Sequence, residues 1–191
     1  MAFSARRRIR PLRRGAENAS FRHVITTDRL QLVPASIHTI TSAIEDLPAL
    51  GARLDAVIPS SWPPDLLDRD ALEWTLRWLS EPSNDPAWGF HWVVLREPRT
   101  LVGVVGYKGM PVDGSVEVGY GIVSEHRRRG YATEATQALV DRAFAAPGVT
   151  TVVAHTLPDL APSIGVLEKC GFRLTGSGME EGTIRYELRR G

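Results

Sequence analysis

The sequence predicts an α/β fold of the α+β kind: a mixed, twisted sheet of about six to seven strands flanked by about four helices. Three observations lead there. Short β-branched runs alternate with segments of helical period, two early apolar runs are separated only by Glu97-Pro98-Arg99, and helices interleave with the strands that follow. The chain has 191 residues, 43% hydrophobic and 24% charged, enough to bury a core without disulfides or a structural metal. Its one cysteine, Cys170, cannot form an internal disulfide.

Thr27 to Pro34 alternates apolar and polar residues and stops at proline, which reads as a strand. Ser36 then caps a helix with Ile37, Ile40, Ile44 and Leu47 at helical spacing. A loop rich in proline and serine, centred on 59–64, leads to a second helix over Leu66 to Ser80. Phe90–Leu95 and Leu101–Tyr107 form a hairpin, and Ser115–Val123 a third run. A helix over Gly130–Ala145 stops at Pro147-Gly148. Thr150–His155 is a strand, Pro162–Cys170 a short helix closed by Gly171, and Thr183–Leu188 the last strand.

Arg6, Arg7, Arg8, Arg10, Arg13 and Arg14 crowd the start, while the whole chain has a net charge of only +1. The remainder is therefore mildly acidic. Residues 1–20 read as a basic, disordered leader or an upstream start codon, and 21–191 as one domain. The sharper reading of the Arg6–Arg14 leader is a nucleic-acid or ribosome contact. No stretch approaches the ~18 apolar residues of a membrane span and no secretory signal is visible, so a cytoplasmic protein is expected.

Val116 to Thr133 carries the chemistry. A strand ends at Val123, a basic turn follows, and a helix starts near Gly130. That geometry aims the unpaired N–H groups of a first helical turn at one point, where the helix dipole also favours an anion. Gly130 admits an oxyanion close to the backbone, Ala132 keeps the next turn small, and Arg127, Arg128 and Arg129 add charge. Lysine-threonine of a P-loop and the three glycines of a dinucleotide fingerprint are absent. In the strand, Glu117, Gly119, Gly121 and Val123 share a face nearly bare of side chains, opposite Val116, Val118, Tyr120 and Ile122.

Arg127-Arg128-Arg129-Gly130-Tyr131-Ala132 resembles the Arg/Gln-x-x-Gly-x-Gly/Ala motif of the GNAT superfamily of acetyltransferases. Ser163-Ile164-Gly165-Val166-Leu167-Glu168-Lys169-Cys170-Gly171-Phe172 resembles the second motif of its RimJ/RimL-like branch, which acetylates ribosomal-protein N-termini, and Thr27–Leu30 resembles that branch's opening strand. The resemblance implies acetyl-CoA as co-substrate, no metal, and a splayed strand pair as its cleft. It implies main-chain contacts to pantetheine from Ile122 and Val123, and a pyrophosphate site spanning Arg127, Arg128, Arg129, Gly130, Tyr131, Ala132 and Thr133. From the second motif it adds Leu160, Ser163 and Leu167. The partner it implies is an amine, on a protein N-terminus or a small molecule, and the chain a monomer or homodimer.

Acetyl transfer needs a neutral amine, so Glu117 is the candidate base, its pKa expected to rise by partial desolvation. The alternative is a charge that only orients the amine. Ser163 is the candidate proton donor to the leaving thiolate, or the cap of its helix. Two departures from the family pattern stand out. Leu160 replaces an asparagine, and Gly165 replaces a basic residue at about 1 kcal/mol to the helix. Leu167 stands where many members have a tyrosine. A non-catalytic acyl-CoA binder is therefore the competing class. The five histidines show no metal spacing. Trp62 is read as a wall of the acceptor pocket or a loop anchor.

Overall fold

The computed structural model describes residues 24–65 and 67–191. The leader and Leu66 lie outside the described residues. The strands are β1 (Ile25–Thr26), β2 (Leu30–Pro34), β3 (Phe90–Leu95), β4 (Thr100–Tyr107), β5 (Ser115–Ile122), β6 (Thr151–Thr156), β7 (Arg173–Ser177) and β8 (Ile184–Arg189). The helices are α1 (Ile37–Glu45), α2 (Leu47–Leu54), α3 (Arg69–Ser80), α4 (Tyr131–Ala145) and α5 (Ala161–Lys169). The strands form one sheet in the order β1-β2-β3-β4-β5-β6-β8-β7. Every neighbouring pair is antiparallel except β5 and β6, which α4 connects as a parallel crossover.

The sheet is thus larger than expected by β1 and β7, and a fifth helix occupies part of the expected loop. Asp46 caps α2 by accepting from the Ala49 amide, and Pro48 sits in its first turn, where its missing N–H costs nothing. Gly51 lies so close to Ala56 O and Ile58 that a Cβ would touch both. This glycine serves packing inside a helix. The first strand is shorter than expected, because Thr27 to Arg29 make a turn whose Thr27 amide donates to Leu30 O. Helix α3 starts at Arg69 because Asp68 caps it, accepting from the Ala71 amide.

Two apolar layers pin the sheet. On one side Leu139, Val140 and Ala143 of α4 and Leu167 of α5 pack on Val116, Val118, Val152 and Ala154. The other cluster joins Ile40, Leu50, Leu54 and Leu72 to Trp92, Val94, Leu101 and Val104. Each such fully buried side chain contributes about 1.5–3 kcal/mol. Strand alternation assigns Val116, Val118 and Ile122 to the first cluster, which turns Glu117, Gly119 and Gly121 the other way.

Candidate active site

β5 and β6 pair only at Ser115↔Thr151, Val116↔Val152 and Glu117↔Val153, although both strands run on. Beyond Glu117 they diverge. On its other edge β5 stays paired to β4 from Val118 to Ile122, extended by Lys108 N donating to Glu117 O and Val123 N to Val102 O. Antiparallel alternation then directs the amides and carbonyls of Glu117, Gly119, Gly121 and Val123 toward β4. Those of Val118, Tyr120 and Ile122 face the opening. An extended, hydrogen-bonding ligand can pair with that edge. The expected main-chain contact at Ile122 faces it, whereas the Val123 amide is spent on Val102.

The cleft ends at the α4 N-terminus. Gly130 is its N-cap at φ 82°, and no side chain caps the helix. Arg128 also adopts a left-handed φ of 59°, an uncommon conformation for a residue with a Cβ. The amides of Tyr131, Ala132 and Thr133 lie in the unpaired first turn, the first intrahelical bond being Glu134 N to Gly130 O. The arginine triplet is less uniform than the sequence suggests. Arg127 Nε donates to Ile122 O at 2.9 Å and its Nη2 pairs with Asp65 Oδ2 at 2.7 Å. Arg129 donates to Glu125 O at 3.3 Å. Arg127 therefore ties the strand to the preceding loop, and Arg128 and Arg129 remain exposed beside the helix start. The pyrophosphate-type cradle fits the residues present.

Arg29, which sequence reasoning passed over, holds this turn. Its Nη1 donates to Arg129 O at 2.9 Å, its guanidinium lies 4.7 Å from the Tyr131 ring centroid, and it pairs with Glu134 at 2.7 Å. Glu134 also accepts from Thr27 Oγ1 at 2.6 Å and the Arg29 amide at 2.9 Å. Burial pushes the Glu134 carboxyl up, but the bonds from Thr27 and Arg29 outweigh it and leave it below the ordinary carboxylate value.

Glu117 stands where the strands part. Lys108 Nζ lies 2.6 Å and His155 Nδ1 3.1 Å from its Oε1. Burial raises its pKa, and Lys108 and His155 together lower it by more. The expected upward shift is therefore reversed: the contacts with Lys108 and His155 outweigh desolvation.

Ser163 is the third residue of α5 rather than its cap; Leu160 holds the N-cap position without a side-chain bond. The Ser163 hydroxyl instead lies 3.1 Å from Tyr120 Oη, which also donates to Ser163 O at 2.9 Å. Tyr120 thus reaches across the opening from β5 to α5. Burial, ahead of the other causes, pushes its phenol up to about 12. Leu160 is exposed, Leu167 is 1% exposed inside the α4–α5 core, and a Cβ at Gly165 would meet nothing within 4 Å. Leu167 packs; it does not line the cleft.

The segment before α3 closes the other flank. Gly121 faces Pro64, and a Cβ there would lie 3.4 Å from the proline. Trp62 anchors its loop. It packs on Trp92 with ring centroids 5.9 Å apart. With Leu47, Gly51, Ile58 and Pro59 it also lines a cavity of about 570 Å³.

A strand pair that opens beside an uncapped helix N-terminus suits an extended ligand that ends in an anion. Residues 37–173 match the model of the acetyltransferase (GNAT) domain, so the chain belongs to the GNAT acetyltransferase family. It is 33% identical over 100 residues to YjdG, an uncharacterized N-acetyltransferase of Bacillus subtilis, a match spanning 51% of this chain and 60% of that protein. An acetyltransferase structure from Agrobacterium tumefaciens shares the fold with a TM-score of 0.63 and 24% identity, over 92% of this chain and 100% of that one. RimL, a ribosomal alpha-N-protein acetyltransferase in complex with coenzyme A, shares it with a TM-score of 0.60 and 16% identity, over 87% and 98%. Among the described residues no helix is long and apolar enough to cross a membrane.

Proposed function

We propose that this chain is a cytoplasmic N-acetyltransferase, residues 21–191 forming its catalytic domain, that joins acetyl-CoA and a primary amine in one ternary complex. The observation that carries the reading is the parting of β5 from β6 after Glu117↔Val153, with the uncapped α4 N-terminus at the far end of the exposed edge. Acetyl-CoA supplies the acetyl group as a thioester. The Tyr120 and Ile122 edge pairs with the pantetheine arm, and the amides of Gly130 to Thr133, with Arg128 and Arg129, receive the pyrophosphate.

The reaction forms one C–N bond and breaks one C–S bond. An amine bound as the ammonium loses two protons, one before attack and one as its nitrogen becomes the amide; one reaches sulfur and the other is released to solvent. Glu117 meets the amine, attracting its charged form and taking up the proton. Tyr120 and Ser163 flank the path across the opening as the hydroxyl pair that protonates the thiolate, whose conjugate acid at ~8–9 needs only modest help. RimL's activity as a ribosomal alpha-N-protein acetyltransferase supports a protein α-amine as acceptor. A small amine is the second reading: the apolar cavity of about 570 Å³ beside Trp62 lies in the size range of small-molecule sites, although Glu117, Tyr120 and Ser163 do not line it.

Following free CoA while peptides and small amines are added tests this. Amine-dependent release that Glu117→Gln reduces at least about ten-fold, with acetyl-CoA binding intact, is the expected result. Binding without release from any amine would leave a CoA-binding module and remove the transferase.

A further inference from the structure

His155 has no part in the chemistry so far, yet it is the most deeply placed polar group beside Glu117. The parallel register sets Glu117 opposite Val153, two positions before His155, so both side chains share one face of the sheet. His155 is 10% exposed, against 56% for Lys108, the other group on Oε1. Water screens the lysine's charge far more than the imidazole's.

The remaining charges on this face are accounted for. Arg185 lies opposite His155 across β8 and Glu187 one pair further, but they satisfy each other at 2.8 Å, with Arg189 at 3.4 Å. From the β7–β8 turn Gly178 packs against the ring, and that turn's Glu180 and Glu181 are exposed. His155 Nε2 is buried and has no hydrogen-bond partner among the described residues. The ring's ion-pair partner is Glu117 Oε1, 3.1 Å from Nδ1. That oxygen is itself buried, and the contacts of Lys108 and His155 with it fall short of hydrogen-bond geometry, while the Glu117 side chain keeps 20% exposure.

We propose that His155 is a positioning residue of the acceptor site: its Nδ1 holds Oε1 of Glu117 and leaves Oε2 to meet the amine. This rests on the acetyltransferase reading. The contact of 3.1 Å from a ring only 10% exposed fixes the carboxylate from its buried side. The downward pull on the Glu117 carboxyl agrees with a carboxylate held ionised by these neighbours.

Two measurements on the full chain test it. The first is the nitrogen-15 spectrum of the His155 imidazole across pH. In the wild type the neutral ring should carry its proton on Nδ1, and in Glu117→Ala that preference should vanish. An unchanged tautomer would overturn the pairing. The second is the acceptor KM at pH 8 with the most active amine. His155→Ala should raise KM about ten-fold while kcat and the acetyl-CoA Kd stay near wild type, and His155→Asn, whose amide N–H can replace Nδ1–H, should stay within about three-fold of wild type. A wild-type KM in His155→Ala would overturn the proposal. If no amine releases CoA from the wild type, the acetyltransferase reading and the acceptor role fail together, and the spectrum still decides the pair.

Discussion

Arg29 and Glu134, 105 positions apart, form a two-oxygen clamp between the Thr27–Arg29 turn and the first turn of α4. Glu134 Oε1 takes the Arg29 amide and Thr27 hydroxyl, Oε2 takes the guanidinium, and Arg29 then holds the Arg129 carbonyl. The clamp fixes the turn just before the helix amides that face the proposed pyrophosphate. Without it Arg128 and Gly130, both in left-handed conformations, have less to hold them there.

Replacing Arg29 by alanine should therefore weaken acetyl-CoA binding by about ten-fold while shifting the melting temperature by only a few degrees. Calorimetric titration of the variant measures it. Unchanged affinity would mean that the turn holds its shape without the clamp.

The clamp also has a pH signature. The Glu134 carboxyl is lowered in the folded protein, so its stabilising effect is complete above the unfolded carboxylate pKa and fades as pH falls through the folded one. A Glu134→Gln variant should melt below the wild type at pH 7, and the gap should close in acid, below the ordinary carboxylate value of 4.5. Thermal melts at several pH values decide it; a constant gap would contradict the assignment.

The hydroxyl pair across the opening separates catalysis from capping. Because Leu160, not Ser163, is the N-cap of α5, Ser163→Ala should cost less than about 1 kcal/mol of stability yet lower kcat. Tyr120→Phe should lower kcat more, by about ten-fold or beyond, since the phenol at about 12 stays protonated and able to donate. Loss of stability without loss of rate would make the pair structural.

Gly103 on β4 tests the strand that supports the cleft. A Cβ there would run into Gly121 O and the Ile122 backbone. Gly103→Ala should destabilise by about 1–3 kcal/mol through forced backbone movement and weaken acetyl-CoA binding with it. Denaturant unfolding measures the first effect, and a neutral result would show that β5 can shift freely.

The parts of the site formed by neighbours in sequence were legible. The glycine face of β5, the basic turn and the start of α4 all lie within Val116–Thr133, and strand and helix periodicity sufficed to orient them. What stayed hidden was made by tertiary register. The Glu117–His155 contact depends on a parallel pairing that no local pattern reveals, and together with Lys108 it lowers the Glu117 carboxyl against desolvation. The Arg29–Glu134 clamp spans most of the chain. Helix α2 was masked because Pro48 and Gly51 resemble loop residues, although one sits in a first turn and the other under a tight contact. β7 is exposed along its whole length and lacks the alternation that marks a strand. The apolar spacing of the second motif could not say which way Leu167 points; packing turned it inward.

The most direct test of the account is calorimetric titration of the full chain with acetyl-CoA, wild type beside Gly130→Val. The wild type should bind one acetyl-CoA per chain. The variant, which places a branched side chain at φ 82° and within 3.3 Å of Arg29, should bind at least about ten-fold more weakly. No binding by the wild type, or equal binding by both, would contradict the cleft and the helix terminus on which the proposed activity depends.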